Sequence, residues 1–325
     1  MRAAYYEQNG PADEVLHLGE VETPKPAPGE VRVRLATSGV NPSDVKTRAG
    51  TARKIAFPRV IPHSDGAGEI DMVGEGVAAA RVGERVWTWN GQWKRPFGTA
   101  AQFIVLPDQR AVRLPKDISF EAGACLGIPA LTARHAVDIA GVAAGKTVLI
   151  AGGAGAVAHY AIQFAKARGA TVISTVSSAV KAVVAHEAGA DHTIDYRAEN
   201  VGERVMALTK GGVDAVIELD LTANAALIAS VLRPRGIVAV YGTGPQAHIP
   251  ASFCLVNSAT LKFMLVYELT ADERGQGIAD VTRMLEANRL NHNIAKSFDL
   301  SEIVHAHQMV EQGEAIGNVI IDVGK

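Results

Sequence analysis

The residues best placed to do chemistry stand in one run, Gly152-Gly153-Ala154-Gly155-Ala156-Val157-Ala158. Before it lies Lys146-Thr147-Val148-Leu149-Ile150-Ala151, an apolar run of the buried-strand type. After it comes an alanine-rich stretch that reads as helix as far as Arg168. The spacing Gly153-x-Gly155-x-x-Ala158, set between a strand and a helix, is the one that holds a pyrophosphate. Gly153 allows a tight turn. Gly155 removes the side chain where backbone must approach the phosphates, and Ala158 keeps the helix close to the strand. The helix N-terminus then offers N–H groups and a partial positive charge to the anion. An ordinary tight turn is the plain alternative, and the strand-loop-helix context argues against it.

The end of the next strand decides which dinucleotide fits. A carboxylate about 20 residues after the loop would bind a ribose 2′-OH. Here the segment Thr175-Val176-Ser177-Ser178-Ala179-Val180-Lys181 holds no acid. Ser177, Ser178 and Lys181 instead suit a 2′-phosphate, which an acid would repel. NADPH is therefore the expected cofactor, although Lys181 taken alone also reads as a solvated helix residue.

The elements that would carry these residues follow from pattern. The first ~120 residues are rich in Gly, Pro and short strand-like runs. Val31-Arg32-Val33-Arg34-Leu35-Ala36 alternates strictly, and Gly66–Ile70 and Arg85–Trp89 also read as strands. From Phe120 the texture changes. A helix is expected over 120–140, then strands at 146–151, 170–175, 192–194, 213–218 and 237–241. Helices are expected between them, to 168 and at 179–188, 200–209 and 223–232. That alternation predicts a doubly wound parallel sheet. Helices near 271–288 and 301–312 and a strand at 318–323 close the chain.

The 325 residues suit two domains, and 48% hydrophobic with 20% charged residues is a globular balance. The net charge of −2 and the absence of basic blocks argue against nucleic acid as a partner. Only Cys125 and Cys254 are present, which suits a reducing compartment. No signal peptide and no apolar run of about 18 residues is seen, so a cytoplasmic protein without a membrane segment is expected.

Further motifs now fall into an order. They are Gly39-Val40-Asn41-Pro42-Ser43-Asp44, Pro62-His63-Ser64-Asp65-Gly66-Ala67-Gly68, Val73-Gly74-Glu75-Gly76-Val77 and Val82-Gly83-Glu84-Arg85-Val86. Gly98-Thr99-Ala100-Ala101-Gln102-Phe103 and Gly127-Ile128-Pro129-Ala130-Leu131-Thr132-Ala133 precede the glycine loop. In this order the chain resembles the zeta-crystallin-like quinone oxidoreductases of the zinc-free medium-chain dehydrogenase/reductases, over essentially its whole length. The resemblance implies an α/β protein with a GroES-like β-rich catalytic domain (1–124 and 267–325) and a Rossmann domain (125–266). It implies NADPH in the cleft between them and a small quinone or carbonyl substrate. It also implies a homodimer in which 259–269 carries an outer strand that pairs across the interface, although that run equally fits an internal strand.

Residue by residue, the resemblance puts the pyrophosphate on Gly153, Ala154, Gly155, Ala156, Val157 and Ala158. The adenosine phosphate falls on Ser177, Ser178, Lys181 and Tyr196. Thr132, Gly242, Thr243, Val266 and Tyr267 are further cofactor contacts. Asn41 lies near the nicotinamide and, with Lys46, is the candidate to bond a developing oxyanion. The family often has Tyr where Lys46 stands. All three tryptophans fall within 87–93. Trp87 reads as core, and Trp89 and Trp93 as candidates to stack on a planar substrate. No metal is expected. Asn41 and Ser64 occupy the positions of zinc ligands in related alcohol dehydrogenases, and two cysteines cannot form a four-cysteine lobe. His63 reads as a loop or cleft residue, and His135, His159, His186, His305 and His307 as helix or surface residues. Two other activities fit the same residues, an enone or alkenal reductase and a non-enzymatic NADPH-binding sensor.

Overall fold

The computed structural model describes residues 1–324, which divide into two compact units. One is Met1–Ile128 with the segment from Thr282 onward; the other is Pro129–Val281.

The first unit begins β1 (Arg2–Tyr5), α1 (Ala12–Val15), β2 (His17–Glu20), β3 (Glu30–Val40), α2 (Pro42–Ala49) and β4 (Asp65–Val73). It continues β5 (Arg85–Thr88), β6 (Phe103–Pro107), β7 (Ala111–Arg113) and α3 (Phe120–Gly123). Strand β3 is its axis. On one edge it pairs antiparallel with β4. Elsewhere its first half pairs with β6, through Glu30–Arg34, and its second half with the last strand of the chain, through Thr37–Val40. The alternation in sequence becomes alternation in space. Val31, Val33 and Leu35 are buried, while Arg32 and Arg34 turn outward to Asp71 and Glu69. Beyond Ala36 alternation ends and residues 37–40 are all buried.

The second unit runs α4 (Leu131–Ile139), β8 (Thr147–Ile150), α5 (Ala156–Ala167), β9 (Thr171–Val176), α6 (Ala179–Glu187), β10 (His192–Asp195) and α7 (Val201–Thr209). It continues β11 (Val213–Glu218), α8 (Leu221–Asn224), α9 (Ile228–Val231), β12 (Leu232–Val240), α10 (Ala251–Val256) and β13 (Thr260–Phe263). Its parallel sheet has the order β10-β9-β8-β11-β12-β13. The order reverses direction between β8 and β11, and in sheets of this kind ligands bind beyond the strand ends at that point. Leu149, Ile173, Ile194, Val216 and Val238 fill one core of the sheet. Strand β13 is an edge, not an internal strand, with Phe263 exposed.

Helix α11 (Ala271–Glu286) leads back to the first unit, which ends with β14 (Ile294–Asp299), α12 (Ile303–Glu311) and β15 (Asn318–Asp322). No helix among the described residues is long and apolar enough to cross a membrane.

Three expectations change. The helix expected over 120–140 is broken. Leu126–Ala130 forms a wider π-type turn carrying Pro129, which has no N–H to continue a regular helix. The helix expected at 223–232 is split by a tight 3₁₀ turn at Ala225–Leu227. The units divide at 128/129 and 281/282 rather than at 124/125 and 266/267. The reason lies in α11, whose first turns belong with α4. Arg134 Nε donates to Asp280 at 2.8 Å, and Arg274 donates to the Val266 carbonyl at 2.6 Å.

The β3–β4 pairing depends on Gly68. A Cβ there would overlap the Arg34 carbonyl and lie 2.8 Å from Leu35 Cα. Backbone of a central strand has nowhere to move. Gly68→Ala is expected to lower stability by about 1–3 kcal/mol. In urea unfolding this reads as a lower midpoint with an unchanged slope.

Candidate functional site

In the second unit the glycine loop sits at the strand-order reversal. Gly152 takes the left-handed turn with φ 70°, so the tight turn expected at Gly153 is made one residue earlier. Gly152 N–H donates to Thr175 Oγ1 at 3.1 Å and Gly153 N–H to the Thr175 carbonyl at 3.0 Å, which pins the loop to the end of β9. Gly153 has no room for a Cβ, which would overlap Ser174 Oγ. At Gly155 an added Cβ would press on the Gly152 carbonyl at 3.2 Å, a tight contact, while no other heavy atom lies within 4 Å, so the rest of this face is open. Gly155 is also the N-cap of α5 and brings no side chain to its first-turn N–H groups. An uncapped helix start beside an open glycine face is a cradle for an anion. Ala154 and Ala158 are buried, and Ala156 and Val157 half-buried.

The adenosine end comes together as expected in part. Lys181 Nζ donates to Ser177 Oγ at 3.1 Å. Ser178 is committed to α6 as its N-cap, accepting from Lys181 N–H at 3.3 Å. Tyr196 is exposed, and its N–H bonds the Val176 carbonyl at 3.1 Å, so its ring starts beside Ser177. Gly242 must be glycine because a Cβ would overlap the Leu219 carbonyl. Thr243 bonds Thr222 Oγ1 at 3.2 Å. Val266 and Tyr267 are buried in a 3₁₀ turn. Thr132 Oγ1 is buried on α4 with no hydrogen-bond partner, a polar atom left for a ligand. His159, on α5, is buried and accepts from Gln163 at Nδ1. Burial holds its pKa down to about 4.

In the first unit Asn41 caps the start of α2 and is buried. Its Nδ2 donates to Asp65 Oδ2 at 2.9 Å, and the same oxygen accepts from Ile128 N–H at 3.0 Å. Its own N–H donates to Asp44 Oδ2 at 2.9 Å. Burial pushes the Asp44 carboxyl up to about 7. Asp65 is raised well above the usual carboxylate range, by burial first and by the nearby Asp44 second.

A chain of four side chains leads to Asp65 from below. Thr99 Oγ1 donates to the Asp65 carbonyl at 2.5 Å, which uses its only proton. Ser38 Oγ, 2.8 Å away, must therefore donate to Thr99. Ser38 in turn accepts from His63 Nδ1 at 2.9 Å, so His63 carries its proton there. Its bare Nε2 then accepts from His307 Nε2–H at 2.9 Å. Both rings are fully buried and neutral. Burial holds His63 down to about 3, and His307 lies well below its ordinary value through burial, His63 and Arg48. His307, expected on a helix or at the surface, lies on α12 with no exposure. His135 and His159 are buried too.

The tryptophans separate. Trp87 is fully buried in β5. Trp89 and Trp93 are half-buried, with the Arg110 guanidinium 5.3 Å from the ring centre of Trp89 and that of Arg53 4.1 Å from the ring centre of Trp93. Lys46 is exposed on α2, and among the described residues its ammonium makes no hydrogen bond to Asn41. Neither the Asp65 network nor Arg53 carried a local sequence signal.

Residues 27–116 match the alcohol dehydrogenase GroES-like domain, and residues 156–282 match the zinc-binding dehydrogenase family. A GroES-like unit followed by a parallel-sheet dinucleotide unit defines a medium-chain dehydrogenase/reductase. A quinone oxidoreductase of Pseudomonas aeruginosa is 32% identical, covering 95% of both chains. A 2-haloacrylate reductase of a Burkholderia species is 30% identical over 99% of this chain and 98% of its own length. The chain belongs to the quinone oxidoreductase family of the medium-chain dehydrogenase/reductases. Among solved structures, an NAD-dependent alcohol dehydrogenase superposes with TM-score 0.90 at 27% identity and full coverage of both chains. A mycobacterial protein complexed with NADPH superposes with TM-score 0.86 at 28% identity, covering 99% of each.

The zinc named by one of these families does not fit the donors present. Asn41 bonds Asp65 through its amide, and both ring nitrogens of His63 are already bonded. Among the described residues no three His, Cys, Asp or Glu side chains are grouped to hold a metal.

The buried histidine pair gives acid sensitivity a definite sign. With folded pKa values below 6.5, the pair stabilises the fold fully above that pH. That stability is lost as pH falls, because the unfolded chain takes up the protons. Asp44 and Asp65, with raised values, act oppositely over the same range. The wild type sums these opposed contributions, so the histidine pair is read from the difference between wild type and variant. His307→Gln should be less stable at pH 8, with the deficit shrinking by up to about 1.4 kcal/mol per pH unit below 6.5. Urea melts across pH measure this, and a deficit that is constant with pH would refute it.

Proposed function

We propose that this protein is a zinc-independent, NADPH-dependent reductase of a quinone or similar small carbonyl acceptor, acting as a cytoplasmic homodimer. NADPH, when bound, supplies the hydride. The observation that carries the cofactor choice is the Lys181–Ser177 contact at 3.1 Å in a segment without a carboxylate. An ammonium and a hydroxyl would bond a 2′-phosphate, where an NAD site would offer an acid. The open face of Gly155 and the uncapped start of α5 would take the pyrophosphate, and the Thr132 hydroxyl would gain a partner. The NADPH complex of the mycobacterial relative supports the same choice.

Asn41 keeps a second N–H on Nδ2 after bonding Asp65, and Lys46 offers an ammonium on the same helix. Donors fixed in advance at a developing oxyanion lower the barrier without reorganisation. A quinone needs no stronger Lewis acid, since it already stabilises negative charge. Trp89 and Trp93 would border a planar acceptor. The homodimer reading rests on edge strand β13 and the exposed Leu255, Val256, Phe263 and Leu265 around it, an unpaired edge that a second copy would cover.

A second reading, reduction of an activated alkene, is favoured by the 2-haloacrylate reductase relative, whose substrate is a conjugated alkene.

Steady-state rates with 1,4-benzoquinone and 2-alkenals, each with NADPH and NADH, test these readings. Turnover of the quinone with NADPH preferred is the expected result. Activity on alkenals alone would move the assignment to the second reading, and NADPH binding with no turnover of any acceptor would overturn both. Lys181→Ala should weaken NADPH by about tenfold to a hundredfold, the worth of a charge-assisted bond, and NADH far less. Equal losses for the two cofactors would remove the phosphate role.

A further inference from the structure

We infer that the acceptor site carries an anion subsite, formed by Arg53 and Lys46 beside Trp93, that takes a carboxylate conjugated to the reducible double bond. The inference rests on the acceptor site proposed above and names its substrate class.

The argument begins with unpaired charge. In the first unit Arg32, Arg34, Arg48, Arg59 and Arg81 each hold a carboxylate partner. Arg53, Arg85, Arg95, Arg110 and Arg113 hold none among the described residues, and of these Arg53, Arg95 and Arg110 border the tryptophan loop. Arg110 donates to the Asn90 carbonyl and lies over Trp89. Arg95 donates to the Val105 carbonyl. Its pKa is lowered by burial and then by Arg110, while Glu30 acts the other way. Positive charge thus accumulates around this loop at a cost in burial, which a solvated surface does not require.

Arg53 is the member placed to bind. One Nη2–H reaches Thr47 Oγ1 at 3.2 Å, and the guanidinium lies over Trp93 at 4.1 Å. These contacts tie the last turn of α2 to the loop after β5 and fix the plane of the guanidinium. Of its five N–H donors only one is bonded, and a fixed planar fork is the shape that grips a carboxylate. The acid that faces Arg53 is Asp44, which is buried, bonded to Asn41 and held near pH 7, so it neutralises the guanidinium only in part. Lys46 precedes Thr47 on the exposed face of α2, and its ammonium has no partner among the described residues. The N–H groups of Thr51 and Ala52 bond the Lys46 carbonyl at 3.0 and 3.2 Å, folding the segment that carries Arg53 back onto the same turn.

Two cations on a conjugated carboxylate do more than anchor it. A bound reduced nicotinamide would supply the hydride for the β-carbon and would itself be oxidised by two electrons as the alkene is reduced by two. The C=C π pair would move toward the carboxylate, where Arg53 and Lys46 would hold the added charge, and water would give the α-carbon its proton.

The test uses full-length protein with trans-2-butenoate and its neutral amide. Ligand-observed NMR measures binding to wild type, Arg53→Gln, Arg53→Lys and Lys46→Met, each checked for folding by circular dichroism. The butenoate should bind about tenfold more tightly than the amide at 20 mM salt, and 500 mM salt should remove most of that preference. Arg53→Gln should cut butenoate affinity about tenfold more than amide affinity, with Lys partly restoring it and Lys46→Met showing a smaller loss of the same sign. Equal binding of acid and amide, no effect of salt, or equal losses in the variants would overturn the subsite. Salt-sensitive butenoate binding without turnover of any acceptor supports the subsite and overturns the function it was assigned to. Quinone turnover without carboxylate preference does the reverse.

Discussion

One buried carboxyl group, that of Asp65, organises the catalytic unit. Its Oδ2 gathers the Asn41 amide and the Ile128 N–H, and its backbone carbonyl takes the Thr99 hydroxyl. Through Thr99 it is joined to Ser38, His63 and His307. Breaking any of these bonds would leave a further buried polar group unpaired, so each of these segments is held to one position. Even Gly127 is dictated by it, because a Cβ there would overlap Asp65 Oδ1. Asn41, the candidate oxyanion donor, is therefore fixed from both sides, by Asp65 at its amide and by Asp44 at its backbone.

The second unit meets a comparable demand by another means. Its glycine loop is held by backbone bonds to Thr175 and by the absence of side chains at Gly153 and Gly242. The Gly155 N–H closes the loop on the Gly152 carbonyl at 2.8 Å, and the first-turn N–H groups of α5 beyond it have no side-chain cap. The charge there comes from the helix start and from Lys181, not from a buried acid. One unit thus positions side chains through a buried hydrogen-bond network, and the other positions backbone through tight packing.

This difference governs what the sequence reveals. The glycine loop is legible because its logic is local, with each glycine answering to a neighbour within about 25 residues or to the adjacent strand end. The β3 alternation is legible for the same reason. The His63–His307 pair spans 244 residues, and nothing near either residue announces the other. One signal existed, since Ile303, Ala306 and His307 are all buried on α12, which puts a histidine on an apolar stripe. Helix α2 has a weak sequence signal because its buried face carries Asp44, Thr47 and Arg48 with Val45 as the one large apolar residue. The break before α4 has a local sign in Pro129.

Lys46 is where these strands of argument meet. The family often offers an aromatic hydroxyl at this position, which can stack and share one proton. An ammonium instead acts at range, and only on charge. In the anion subsite proposed above it would act together with Arg53, which forms no ion pair among the described residues, as a local positive field in a chain whose net charge is −2. A field of that kind does little for a neutral quinone, whose recognition depends on stacking and a single oxyanion contact. It does a great deal for an acceptor whose own charge sits one bond from the alkene, because the same cations steer it, hold it and receive the charge that reduction creates. On that proposal the geometry set by Asp65 and Asn41 would serve a quinone or an alkene alike, and Lys46 with Arg53 would add a preference for an acceptor that carries a carboxylate.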